Sequence, residues 1–76
     1  MSKLTIISDK TMIKILNSQG LSEVRQKGSH KFFSDGKRST VVPCHNEDLP
    51  RGTIQNILSD IDITIEEYER IRKNIN

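Results

Sequence analysis

The sequence predicts an α+β sandwich in the order α-β-β-β-α, with a short helix appended at the C-terminal end. Three observations carry this. Hydrophobic spacing changes from a helical period to strand alternation near Leu21, and returns to a helical period after Pro43. The pair Asp35-Gly36, between an apolar run and a β-branched one, marks an antiparallel hairpin. Two later stripes, Ile54/Ile57/Leu58/Ile61 and Ile65/Tyr68/Ile71/Ile75, have the spacing of helices that face a core.

Each element has its own local signals. Ser8 or Asp9 can cap a first helix over about residues 9–19, with Met12, Ile13 and Leu16 on one face. Gly20 ends it, since glycine readily takes the left-handed conformation that closes a helix, and Leu21 can fold back on the last turn. Residues 21–26 read as a first strand, and Lys27-Gly28 as the turn into a second, His30–Ser34. A type I′ turn at Asp35-Gly36 then leads to a third strand, Arg38–Val42, which Pro43 ends by removing a ladder donor. The second helix lies in LPRGTIQNILSDI, with Leu49–Gly52 as its entry turn and Asp48 or Thr53 as its cap. Thr64 and Glu67 form a capping box for the third. Three antiparallel strands with helices on one face leave the other face open.

Size limits what such a domain can do. A chain of 76 residues has room for one core and none for a separate substrate domain, so an active site is expected to be shallow. The single cysteine, Cys44, cannot form an internal disulfide and fits a reducing cytoplasm. The opening MSKLTIISDK lacks a signal-peptide pattern and no apolar run approaches a membrane span, so a cytoplasmic protein is expected.

Charge is segregated. Five cations (Arg25, Lys27, Lys31, Lys37, Arg38) face one acid, Asp35, between residues 25 and 38, whereas acids outnumber cations from Asp60 onward. That pattern suits an anionic ligand at the middle of the chain, although a solvated charged strand would look the same. In the middle of this run stands His30. Strand alternation places His30, Phe32 and Ser34 on one face and Lys31 and Phe33 on the other, without saying which face is the core.

The combination of RQKGSH, TVVPCH and DLPRGTIQNIL, in that order, resembles the HicA family of bacterial type II toxins. The resemblance spans about residues 12–61 and implies a domain over 1–61, with 62–76 as a C-terminal helical extension of it. It implies a double-stranded-RNA-binding-domain-like fold, endoribonuclease activity on mRNA, and neutralisation by a HicB antitoxin. The family's catalytic histidine falls on His30.

That chemistry is physically reasonable for these residue types. RNA carries its own nucleophile, the 2′-OH, so a metal-independent ribonuclease needs a proton acceptor, a proton donor and cations for the phosphorane charge. Histidine suits the proton work, and the neighbouring cations supply the charge. Arg25, Lys27, Lys31, Lys37 and Arg38 are candidate RNA ligands. A glycine turn at Gly28-Ser29 can expose amides to a phosphate, with the Ser29 hydroxyl as a further donor, while Gly28 also suits a tight turn for its dihedrals alone. His45 is a possible secondary site residue. Cys44 and His45 make a poor nucleophile or metal pair, because neighbours in an extended stretch point apart. No cofactor or metal is expected. Two other functions fit the composition: a non-enzymatic RNA-binding module of the same fold, and a protein-interaction domain whose basic face meets an acidic partner.

Overall fold

The computed structural model describes residues 3–75. Met1, Ser2 and Asn76, at the outer ends of the two expected segments, lie outside the described residues. The order is α1 (Asp9–Ser18), β1 (Ser22–Lys27), β2 (His30–Ser34), β3 (Ser39–Pro43), α2 (Arg51–Asp60) and α3 (Ile65–Asn74). The strands form one antiparallel sheet in the order β1-β2-β3. Met12, Ile15 and Leu16 of α1 and Ile54, Ile57 and Leu58 of α2 share a core with Phe33 and Val42 of the sheet. The fold is the expected double-stranded-RNA-binding-domain-like α+β type. Among the described residues, no helix is long and apolar enough to cross a membrane.

Ser8 rather than Asp9 caps α1, its Oγ accepting from the Thr11 amide at 3.2 Å. The other end is a Schellman motif. Gly20, at φ +89°, donates its amide to Asn17 O, and buried Leu21 donates to Leu16 O. α2 ends in the same way around Asp62 at φ +61°, with Asp62 N bonded to Ser59 O and Ile63 N to Leu58 O.

Arg38 ties these two helix ends together. Its guanidinium donates to Gln19 O at 2.8 Å and Ile61 O at 3.0 Å, the carbonyls of the two C-cap residues. A cation is favourable at both places, because the C-terminal end of a helix is the negative pole of its dipole.

Two local expectations are corrected. The Asp35-Gly36 connection is not a type I′ turn, since only Gly36 of the pair has positive φ. Asp35 Oδ1 instead accepts from the Lys37 and Arg38 amides at 2.9 and 2.6 Å, giving a four-residue connection closed by Asp35 N to Arg38 O. Neither Asp48 nor Thr53 caps α2. Residues 47–49 run extended against residues 7–9, through Asp9 N to Glu47 O and Leu49 N to Ile7 O. Helix therefore begins only after Pro50, and Gly52 and Thr53 lie within its first turn.

α3 has the expected capping box, Thr64 with Glu67. It completes the same core: Tyr68 is 0 % exposed and its hydroxyl donates to Thr5 O. Glu69 accepts from the Thr5 amide at 2.7 Å and the Thr5 hydroxyl at 3.0 Å, and pairs with Arg72 at 2.9 Å. Burial opposes the Glu69 charge, but Thr5 and Arg72 outweigh it and hold the carboxyl below its ordinary range.

Burial, with the Glu69 charge beside it, pushes the Tyr68 phenol up to about 12. The raised value favours the neutral phenol, so its contribution to stability is complete below about pH 10 and lost as pH rises toward the folded value. Tyr68 is the one tyrosine, so tyrosinate absorbance reports on it alone. Its midpoint is expected well above 10 in the folded chain; an ordinary midpoint with the fold intact would contradict this docking of α3.

Candidate active site on the open sheet face

Phe33 (1 % exposed), Thr40 and Val42 point toward the helices, so the face carrying His30 and Phe32 is the open one. The choice between the two phenylalanines, open in the sequence, falls on Phe33 for the core. His30 is the first residue of the central strand, exposed, and stands opposite Lys27 of β1 and Pro43 of β3.

The tight β1–β2 loop sets this pairing. It comprises Gly28-Ser29, one residue later than the expected Lys27-Gly28. Gly28 alone has positive φ, +61°, as a type II′ turn requires at its first central residue. Gln26 Nε2 donates to Gly28 O at 3.0 Å across the turn. Counted back from this loop, Lys27 opposes His30 and Arg25 opposes Phe32, which puts both cations on the open face. Directly opposed residues have Cβ atoms about 4.5–5.5 Å apart. Arg25 Cζ lies 4.4 Å from the centroid of the Phe32 ring, a cation–π contact.

A β-bulge separates this pair of cations from the acid beside them. The register shifts between Glu23 and Arg25, leaving Val24 as the extra residue. Glu23 thereby opposes Phe33 on the helix-covered face, although an unbroken strand would place it on the same face as Arg25. Lys31 shares that covered side and lies 3.8 Å from Glu23.

The remaining expected ligands divide by position. Ser29 sits in the loop beside His30, and its carbonyl accepts from the Cys44 amide at 2.7 Å, so the β2–β3 ladder continues past Pro43. Lys37 and Arg38 lie in the connection at the other end of β2 from His30. Arg38 spends its guanidinium on Asp35, Gln19 and Ile61. Placement therefore gathers Arg25, Lys27, Gly28, Ser29 and His30 at one end of the sheet and leaves Lys31, Lys37 and Arg38 away from it.

His45 is exposed, two residues beyond the Pro43 that opposes His30. Its loop is held by Asp9, a buried carboxylate that accepts from the amide of Asn46 at 2.9 Å, with Asn46 itself at φ +59°. Asp9 has no signal in the sequence beyond helix capping, because the segment it holds lies 37 positions away. Cys44 packs against the core. Burial pushes its thiol pKa up, with Lys31 opposing the shift, so the thiol is a poor nucleophile. Among the described residues, no group of three or more His, Cys, Asp and Glu is placed to hold a metal ion.

The site is thus a solvent-facing imidazole, which can give or take a proton, next to two cations that can hold an anion. The family model for the HicA toxin of bacterial toxin–antitoxin systems matches residues 10–63, from the start of α1 to just past α2. No individual curated protein matches the chain. With the matched segment covering most of the chain, and the fold and element order agreeing, the chain belongs to the HicA family, the toxins of bacterial toxin–antitoxin systems.

Proposed function

We propose that the chain is a metal-independent endoribonuclease that cleaves mRNA in the cytoplasm, with His30 as general acid/base on the open sheet face. The observation that carries this reading is the cross-strand pairing of His30 with Lys27 on an uncovered surface. In this reading Lys27 and Arg25 hold the phosphate next to the reacting 2′-OH and offset the charge that grows on it. The Gly28-Ser29 turn offers further donors, and His45 supports the site from the neighbouring loop. His30 takes the 2′-OH proton or protonates the departing 5′-oxygen. The bond from the 2′-oxygen to phosphorus forms as the bond to the 5′-oxygen breaks, leaving a 2′,3′-cyclic phosphate. Lys31, Lys37 and Arg38 contribute at most to the wider field.

A HicB-like antitoxin would neutralise the toxin by covering this same basic face, in a hetero-oligomeric complex. Incubating the purified chain with single-stranded RNA in excess EDTA tests the activity. Cleavage with cyclic-phosphate ends is the expected result. Binding without cleavage would instead make the chain a non-enzymatic RNA-binding module, and cleavage abolished by EDTA would overturn metal independence.

A further inference from the structure

We infer that Phe32 is a stacking subsite for a nucleobase of single-stranded RNA, one nucleotide from the phosphate at Lys27 and His30. The inference rests on the open face meeting RNA. The chain has three aromatic residues. Phe33 and Tyr68 are buried in the core, while Phe32 lies on the uncovered face and keeps part of its ring exposed.

Phe32 follows His30 by two residues on the same strand and the same face, so their Cα atoms are about 7 Å apart. That separation suits a base whose own phosphate sits at the histidine. Val41 stands opposite Phe32 on β3, and bulge residue Val24 is 60 % exposed, so the ring belongs to an apolar patch. Cations edge this patch: Arg25 over the ring and Lys27 one pleat further along. The bulge turns Glu23, which would repel phosphate, to the covered side. An apolar, aromatic patch bordered by positive charge fits a ligand with alternating flat bases and phosphates.

Arg25 marks how the base is received. A guanidinium is a planar cation, and its position over the ring is one that a base can take. Once displaced, its N–H donors are free for the next phosphate. Stacking of this kind tolerates any base, since every base has a π-face, and it requires unpaired bases.

The chain contains no tryptophan, so Phe32→Trp introduces a unique fluorophore at the subsite. Two probes separate base from backbone: a 2′-O-methyl oligoribonucleotide, which cannot be cut, and an abasic oligomer of equal length. The oligonucleotide is expected to quench Trp emission, and the abasic oligomer to leave it unchanged. Phe32→Leu is expected to weaken oligonucleotide binding roughly 10-fold, without changing abasic binding.

The inference is overturned if Lys27→Ala weakens binding but Trp emission stays constant and Phe32→Leu binds like wild type. It is overturned too if Phe32→Leu weakens both probes equally, which would make the ring a prop for the sheet. Should Phe32→Leu fail to fold, the quenching experiment decides alone. A chain that stacks the base but never cleaves unmodified RNA would keep this subsite and refute the ribonuclease reading, whereas a chain that binds neither probe would refute both.

Discussion

His30→Ala is expected to lower RNA cleavage by roughly 10²–10⁴-fold while leaving the fold and RNA affinity close to wild type. The side chain is exposed and no core residue depends on it, so its removal leaves no cavity. In the proposed reading Lys27 and Arg25, across the strand, would still hold the phosphate. Lys27→Ala should act differently, weakening binding of all RNA sequences and flattening its salt dependence, as loss of one phosphate contact does. Melting curves and salt titrations on the purified variants check both expectations. Unchanged cleavage by folded His30→Ala would remove His30 from the chemistry.

Arg38→Ala is expected to give the reverse pattern, a large loss of stability with no direct effect on chemistry. Its guanidinium serves the C-terminal ends of α1 and α2 and the Asp35 carboxylate together. Hydrogen bonds from charged donors are worth about 1.5–3 kcal/mol each. Because the side chain is partly exposed, the expected total is reduced to about 2–4 kcal/mol. A domain of this length has only about 4–11 kcal/mol of net stability. The melting temperature should therefore fall by roughly 10 °C or more. Arg38→Lys should restore little, because one ammonium cannot span carbonyls that the planar fork reaches together. A melting temperature unchanged in Arg38→Ala would show that the helix ends hold without the clamp.

The same connection sets a direction with pH. The Arg38 and Lys37 amides, with the Arg38 guanidinium, hold the Asp35 carboxyl well below its ordinary range. A depressed folded value means that its contribution is complete above about pH 4 and lost as pH falls toward that lower value.

What the sequence revealed and what it hid divide along physical lines. Helical stripes such as Ile54/Ile57/Leu58/Ile61 are legible because burial imposes a period on neighbouring residues. Alternation likewise put His30 and Phe32 on one face of β2. Which face that was depended on Phe33 meeting the helices, a tertiary fact. The bulge at Val24 was invisible because an extra residue leaves no local mark in a half-polar strand. Arg38 read as one more cation in a basic run. Its carbonyl partners lie 19 and 23 positions away, and local composition says nothing about them. Asp35-Gly36 marked a turn correctly but suggested the wrong type, because the Asp35 side chain bonds the following amides. The caps proposed for α2 failed because pairing of residues 47–49 with 7–9 keeps the chain extended up to Pro50.

The central claim is that His30, set beside Lys27 by the Gly28-Ser29 turn, performs proton transfer on bound RNA. Its most direct test is the single-turnover cleavage rate of His30→Ala against wild type in EDTA, with the protein in saturating excess over RNA and folding verified by melting. The predicted result is a folded variant that binds RNA and cuts it roughly 10²–10⁴-fold more slowly. Cleavage at the wild-type rate would contradict it.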